Sequence, residues 1–326
     1  MTKALPMADQ ILSGNRRALA RAITLIESGR NDHRDQARAL LEALASSKRQ
    51  ALRIGLSGTP GVGKSTFTES FGMMLADSGL KLAVLAVDPS STRSGGSILG
   101  DKTRMERLTR HPNAFIRPSP SQSALGGVAR RTREVIALCE AAGFDVVIVE
   151  TVGVGQSEVM VSEMTDIFAL LLAPAGGDEL QGVKRGIMEI ADIILVNKAD
   201  GELKPQAIRT CADYAGALRL MRARPGDPED FPKAMTISAI EEDGLQDAWD
   251  EIKSLADWRK DQGIWDATRA AQAELWFERE VERGWLAQLD ASANRRALKE
   301  DLRTQVATGQ ISPDAAAAKL LSKMQP

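Results

Sequence analysis

The clearest chemistry in the sequence lies in the eight residues Gly58 to Ser65. Their order, Gly-Thr-Pro-Gly-Val-Gly-Lys-Ser, matches the phosphate-binding pattern G-x-x-x-x-G-K-[ST]. The glycines allow main-chain N–H groups to turn toward a β-phosphate, and the start of a helix adds partial positive charge. We expect Lys64 to contact the β- and γ-phosphates and the Ser65 hydroxyl to bind Mg²⁺. The alternative, a glycine-rich turn that only joins strand to helix, leaves the Lys-Ser pair unexplained. The nucleotide-binding residues predicted from this loop are Gly58, Gly61, Val62, Gly63, Lys64, Ser65 and Thr66.

Two acidic residues further along are candidates for holding a metal ion. Asp88 follows the apolar run 82–87, where its carboxylate could hold Mg²⁺ or the water around it. A cap of a helix or turn is its alternative role. Asp101 lies in the glycine-rich segment 94–104, which is built like a switch loop, and we expect it to bind the metal side or to position water. Its alternative role, which is compatible with the first, is the N-cap of the following helix.

A third acid, Glu150, ends another apolar run, where P-loop enzymes place their Walker B acid. The nearby Gly153 could direct its N–H toward a γ-phosphate. No glutamine follows Gly153 directly, so we expect slow intrinsic hydrolysis unless another group supplies charge. Lys184 and Arg185 are the candidates, and an ordinary helix face is the alternative reading for both. The predicted catalytic residues are Lys64, Asp101, Glu150 and Lys184, and the predicted metal ligands are Ser65, Asp88, Asp101 and Glu150.

The segment Asn197-Lys198-Ala199-Asp200 matches the guanine-selective pattern N-K-x-D. The Asp200 carboxylate can accept hydrogen bonds from guanine N1–H and the 2-amino group. Adenine has no donor at N1, and leaving the carboxylate unpaired costs about 1–3 kcal/mol. Lys198 would lie along the base plane. The predicted base-binding residues are Asn197, Lys198, Asp200 and the later Ser238, Ala239 and Ile240, where Ser-Ala resembles a loop whose main-chain N–H meets guanine O6.

These motifs follow short apolar runs at 52–57, 82–87, 144–149, 167–172 and 193–196. Such runs are typical of buried parallel strands, and helical stretches separate them. We therefore predict an α/β fold with a mostly parallel, doubly wound sheet of the P-loop type. Ligands bind at the carboxyl ends of the strands in such sheets, and the motifs all lie there.

Helical segments flank this unit on both sides. We predict a helical N-terminal extension at 1–50, a nucleotide-binding domain at 51–258 and a helical arm at 259–326. In the arm, Phe277, Val281, Trp285 and Leu289 recur every four residues. This stripe is either intrachain core or a partner face, and we favour a self-association arm.

Composition argues against several classes of protein. The chain of 326 residues has 42 basic and 44 acidic residues, for a net charge of −2. This balance does not favour nucleic acid or a membrane surface as partner. The two cysteines and two histidines show no spacing typical of a zinc or nickel cluster. Without an apolar leader or membrane-length apolar run, a cytoplasmic protein is expected.

With these motifs, the chain resembles the MeaB/ArgK family, which includes the methylmalonic aciduria type A protein. The strings Asp88-Pro-Ser-Ser91 and Glu150-Thr-Val-Gly-Val-Gly-Gln-Ser-Glu158 carry the resemblance most specifically. It implies a homodimeric GTPase that uses Mg²⁺ with GTP or GDP. It also implies a chaperone of adenosylcobalamin-dependent methylmalonyl-CoA mutase that gates cofactor loading and protects or reactivates the enzyme.

Three other functions remain open at this stage. They are a nucleotide-dependent metal-insertion chaperone, an ATP-dependent transport-system kinase, and a binding module that uses nucleotide only to hold its shape. The lack of metal-binding Cys and His weakens the first, and the guanine motif argues against the second.

Overall fold

The computed structural model describes residues 4–87, 105–117, 125–151, 157–174, 185–221, 224 and 226–323. The chain divides into two compact units, Met1–Asp266 and Ala267–Pro326. The predicted boundaries at residues 50 and 258 stay a prediction.

The first unit contains a parallel sheet, in which seven strands are described in the order β3-β2-β4-β1-β5-β6-β7. Every described strand pair is parallel. The strands are β1 (Leu52–Gly58), β2 (Leu82–Val87), β3 (Ala114–Arg117), β4 (Val146–Thr151), β5 (Ile167–Leu172), β6 (Ile193–Val196) and β7 (Lys233–Thr236). The chain leaves β1 toward one edge and later continues on its other side, so the order reverses around β1. The doubly wound α/β fold predicted from the apolar runs is confirmed.

The helices surround this sheet or follow it. They are α1 (Ala4–Leu12), α2 (Arg16–Glu27), α3 (Asn31–Leu44), α4 (Lys64–Asp77), α5 (Glu106–Arg110), α6 (Leu125–Ala141), α7 (Ser157–Ser162), α8 (Arg185–Ile190), α9 (Lys204–Arg219), α10 (Leu245–Asp261), α11 (Ile264–Ala291), α12 (Ala293–Ala307) and α13 (Pro313–Ser322).

Strands β3 and β7, which lie at the two ends of the strand order, are absent from the prediction. Each has only four residues. The burial of β3 alternates and the side chains of β7 are half-buried, so neither forms the continuous apolar run of a central strand. The sequence signal of both strands is therefore short.

The N-terminal helices pack on the sheet unit. In α2, Leu19 and Ile23 are buried, and α2 and α3 both contact α6. The Asn15 side chain caps α2 by accepting from the main-chain N–H groups of the next turn. The Arg16 guanidinium donates to the carbonyls of Pro112 and Ala114, which anchors the start of α2 beside β3.

Helices α4 and α10 share the sheet's main hydrophobic core. Phe67 and Phe71 of α4 stack with their centroids 5.0 Å apart, and Phe71 meets the edge of Trp249 from α10 at 6.1 Å. These rings pack with strand residues such as Ile54 and Leu195. The helix that follows the phosphate loop is therefore held rigidly against the sheet.

A buried network of ion pairs lies at the amino-terminal end of β6. The Arg259 guanidinium of α10 contacts the carboxylates of Asp192 at 2.6 Å and Asp227 at 2.7 Å. Arg224 also bonds to Asp192, at 2.8 Å. Burial alone would lower the pKa of Arg259, but the two carboxylates raise it above its ordinary value. Arg259 therefore keeps its charge, and its contacts tie α10 to the start of β6.

The second unit is helical. Helices α12 and α13 pack against each other, and Ser312 caps α13 by accepting from Ala315 N–H at 3.3 Å. On α11, the side chains of Phe277, Val281 and Trp285 are exposed in the single chain.

Candidate nucleotide-binding site

The predicted phosphate loop lies between β1, which ends at Gly58, and α4, which begins at Lys64. Two of its glycines are required by close contacts. A Cβ atom at Gly58 would lie 2.3 Å from the Leu171 carbonyl oxygen. At Gly63, whose φ is +93°, a Cβ atom would lie 2.7 Å from Asn197 Nδ2. The loop is therefore packed against the strands that carry the other motifs, and this packing explains the glycines at both positions.

Lys64 bonds to its own loop in the structure. Its Nζ donates to the Gly58 carbonyl and, at 3.4 Å, to the Thr59 carbonyl. Burial lowers the pKa of Lys64, while the nearby Glu150 and Glu158 carboxylates oppose that shift. An ammonium group held by neutral carbonyls can exchange them for phosphate oxygens, which bind it more strongly.

Glu150 is buried on β4, and Thr68 of α4 donates to its Oε2 atom over 3.1 Å. Thr68 stands three residues after Ser65, so the two side chains lie on neighbouring turns of one helix face. The Ser65 hydroxyl and the Glu150 carboxylate therefore belong to the same corner of the site, and both offer oxygen ligands. The described residues contain no group of three or more His, Cys, Asp or Glu side chains placed to hold a metal ion.

Asn197 joins the base motif to the phosphate loop. Its Nδ2 donates to the Val62 carbonyl at 2.9 Å, and its Oδ1 accepts from Ala239 N–H at 3.0 Å. Lys198 Nζ also reaches the loop, at the Gly61 carbonyl, over 2.8 Å. Lys198 adopts φ +60°, which is uncommon for a residue with a side chain. The base and phosphate motifs thus form one connected arrangement.

The Asp200 carboxylate is oriented by a second side chain. Ser238 donates its hydroxyl to Asp200 Oδ2 at 2.5 Å and accepts from Glu241 N–H at 3.1 Å. Because Ser238 holds one carboxylate oxygen, the orientation of the whole carboxylate is fixed for a guanine donor pair. Ile240, which follows in the same loop, has a side chain that is 75% exposed.

Ser70 is a site residue that the sequence analysis missed. It lies on α4, and its hydroxyl donates to the Ala239 carbonyl at 2.7 Å in a buried position. A serine inside a helix has no motif to mark it. Thr68 was missed for the same reason, since its partner Glu150 is 82 residues away in sequence.

The structure brings together Lys64, Ser65, Glu150, Asn197, Lys198, Asp200, Ser238 and Ala239 at the carboxyl edge of the sheet. The predicted residues Asp88, Asp101, Gly153 and Lys184 lie outside the described residues.

The two cysteines lie on helices, Cys139 on α6 and Cys211 on α9. Burial, with a smaller contribution from Glu140, raises the pKa of the Cys139 thiol, and burial also raises the pKa of Cys211.

Across the described part of the chain, none of the helices has the length and apolar character needed to span a membrane.

The fold and the site together define a P-loop GTPase. A family model described as methylmalonyl-CoA mutase-associated GTPase MeaB matches residues 19–294. The chain therefore belongs to the MeaB family.

Relatives and a solved structure agree with this family. A Caulobacter vibrioides protein named as a GTPase is 50% identical over 97% of this chain and 96% of its own. The mitochondrial methylmalonic aciduria type A homolog of Mus musculus is 44% identical over 95% of this chain and 77% of its own. The crystal structure of a LAO/AO transport system kinase is 36% identical, with a TM-score of 0.78, and covers 100% of this chain and 99% of that chain.

Proposed function

We propose that this GTPase acts as a nucleotide-dependent chaperone of adenosylcobalamin-dependent methylmalonyl-CoA mutase, gating cofactor loading and protecting or reactivating the enzyme. The observation that carries the nucleotide assignment is the Asp200 carboxylate, which Ser238 holds for guanine beside a loop fixed by Asn197. The mutase as partner is supported by the family to which the chain belongs, which is described as methylmalonyl-CoA mutase-associated. We place the protein in the cytoplasm, with no nucleic-acid or membrane partner.

The phosphates and Mg²⁺ would be bound at the other end of the site. Lys64 leaves the Gly58 carbonyl for the β- and γ-phosphates, and Ser65 contributes its hydroxyl to Mg²⁺. Glu150, held by Thr68, would fix the metal or a water bound to it, and oxygen ligands of this kind suit Mg²⁺. When bound, Mg²⁺ would neutralise charge developing on the phosphates.

The remaining predicted residues complete this proposal. Asp88 and Asp101 would support the metal or its water shell. Gly153 N–H would meet the γ-phosphate, and Lys184 would supply positive charge in the transition state. Because no glutamine follows Gly153, we propose that hydrolysis is slow until the mutase binds.

We further propose that the protein forms a homodimer through its C-terminal arm, 259–326. The exposed Phe277, Val281 and Trp285 of α11 support this assignment, since aromatic side chains are enriched in protein interfaces.

The test of the mutase assignment is a comparison of GTP turnover with and without purified methylmalonyl-CoA mutase. We expect turnover to rise when the mutase is added, and Lys64→Ala provides a control without the phosphate-binding ammonium. If GTP turnover is the same with and without the mutase, the assignment of the mutase as partner is wrong. A capture experiment in GDP and in a non-hydrolysable GTP analogue, with the bound enzyme identified, would show which acyl-CoA mutase is recognised.

The name of the 36% identical solved structure makes an ATP-dependent transport kinase the second candidate. Direct competition between ATP and GTP for the site distinguishes the two, because Asp200 would have no donor pair to accept from on adenine.

A further inference from the structure

Ser70 lies six residues after Lys64, on the helix that starts at the phosphate loop. Its hydroxyl donates to the Ala239 carbonyl, 169 positions away in sequence, at 2.7 Å. Serine hydroxyls inside helices commonly bond back to a carbonyl of the preceding turn. Ser70 instead reaches out of its helix to the loop that is predicted to meet the base.

The two peptide groups around Ala239 have different partners. The Ala239 N–H is already engaged by Asn197 Oδ1 at 3.0 Å. The Ala239 carbonyl belongs to the next peptide, which it shares with the N–H of Ile240. Within the described part of the chain, the Ile240 N–H donates to no acceptor.

The direction of the Ile240 N–H follows from the geometry of the peptide. In a planar trans peptide the carbonyl and the N–H point in opposite directions. Ser70 fixes the Ala239 carbonyl toward the buried side of the loop, so the Ile240 N–H points away from α4. The Ile240 side chain is 75% exposed, so this part of the loop is accessible.

We propose that Ser70 is a positioning residue for guanine, which orients the Ala239–Ile240 peptide so that the Ile240 N–H donates to guanine O6. This inference rests on the proposed binding of guanine nucleotide between Asp200 and the 238–240 loop. Ser70, a helix residue outside the sequence motifs, thereby takes part in base selection. Ile240 contributes a contact that its main chain alone makes.

The experiment compares three diphosphates on the full-length protein by calorimetry. GDP and IDP carry O6 and N1–H, while the diphosphate of 2-aminopurine riboside keeps the 2-amino group but lacks both O6 and the N1–H that Asp200 would accept. Each variant is therefore compared with the wild type for the same nucleotide, so that the loss at Asp200 is common to both proteins. Ser70→Ala should weaken GDP and IDP by about tenfold, the loss of one well-oriented hydrogen bond. The same variant should change the affinity for the 2-aminopurine nucleotide by less than about twofold.

Two further variants separate positioning from packing. Ser78→Ala removes a hydroxyl that bonds at 2.7 Å to Leu75 in its own helix end, and it should leave all three affinities unchanged. Ser70→Cys keeps the size of the side chain and weakens the donor, so it should repeat the pattern of Ser70→Ala even if the alanine variant folds poorly.

Equal losses for all three nucleotides would assign Ser70 a structural role only and overturn the inference. The wild-type protein distinguishes this from failure of the proposed function. If it prefers GDP to ADP while the variants lose all three nucleotides equally, only the Ser70 inference falls. If it shows no preference for GDP over ADP, the guanine assignment falls and the inference falls with it.

Discussion

The base end and the phosphate end of the site differ in how their polar groups are engaged. At the base end, Asp200, Asn197 and Ala239 are held by neighbours that leave a fixed set of groups for a guanine. At the phosphate end, the principal cation, Lys64, is bonded to carbonyls of its own loop. Base recognition is therefore organised in advance, whereas phosphate recognition requires Lys64 to exchange partners.

This difference has an energetic meaning. Groups that are already oriented bind without a further cost of ordering them. To bind a ligand, Lys64 must break its hydrogen bonds to the loop carbonyls. Only a highly charged ligand forms hydrogen bonds with the ammonium group that are stronger than the ones it breaks. We therefore expect selectivity among bases to depend on the 197–200 and 238–240 segments, and selectivity for nucleotides over nucleosides to depend on Lys64.

The largest effect should come from Asp200→Asn. An amide can donate where the carboxylate only accepts, so the variant should lose guanine and gain xanthine. Two charge-assisted bonds are exchanged, which corresponds to about a thousandfold change in the ratio of GTP to XTP affinity. Competition binding with the two nucleotides measures this ratio. A variant that still prefers GTP would contradict the role of Asp200.

Lys64→Ala tests the phosphate end. We expect GTP turnover to fall by at least about a hundredfold, because the ammonium stabilises charge that develops on the phosphates. Guanosine, which has no phosphate, should bind the variant and the wild type equally. Single-turnover phosphate release measures the first quantity and calorimetry the second. Undiminished turnover would exclude Lys64 from catalysis.

Ser238→Ala should weaken the base end more mildly. The variant releases the bound oxygen of Asp200, and a lost bond to a charged group costs about 1.5–3 kcal/mol. GDP affinity should fall by about thirtyfold, and Ser238→Thr, which keeps the hydroxyl, is the matched variant. If the alanine and threonine variants bind GDP alike, the bond does not orient the carboxylate.

The smallest effect is expected for Thr68→Val, which preserves shape and removes the donor to Glu150. Loss of a partner behind a metal-binding group commonly weakens metal affinity by about tenfold. The Mg²⁺ concentration for half-maximal GTP turnover should rise by that factor, with GTP saturating. If the Mg²⁺ concentration for half-maximal turnover does not change, Glu150 does not contribute to binding the metal.

The motifs were predictable from sequence because each combines residue type, spacing and position after an apolar run. Gly58 to Ser65 and Asn197 to Asp200 fall where the strand ends place them. The contacts that orient them were not predictable. Ser70 and Thr68 act on groups 169 and 82 positions away, and such pairs depend on the packing of α4 against the sheet.

Two further features could not be predicted from the sequence: strand β3 and the conformation of the Lys64 side chain. Four residues at a sheet edge carry too little periodicity to be distinguished from a loop. The pattern around Lys64 predicts its ligand, but the carbonyls that it contacts in the structure follow from the loop's own backbone.

The ion network at the start of β6 affects where a fragment that contains the nucleotide-binding part should end. A fragment ending at residue 258, the predicted boundary, would lack the next residue, Arg259, which contacts both Asp192 and Asp227. Arg224 would remain as their cation, at 2.8 Å from Asp192 but only at 3.9 Å from Asp227. Removing one partner from a buried ion pair costs up to about 3–5 kcal/mol, which is a large share of the stability of a typical domain. A fragment extended to residue 266, where the first compact unit ends, keeps the bridge and is the better choice for expression.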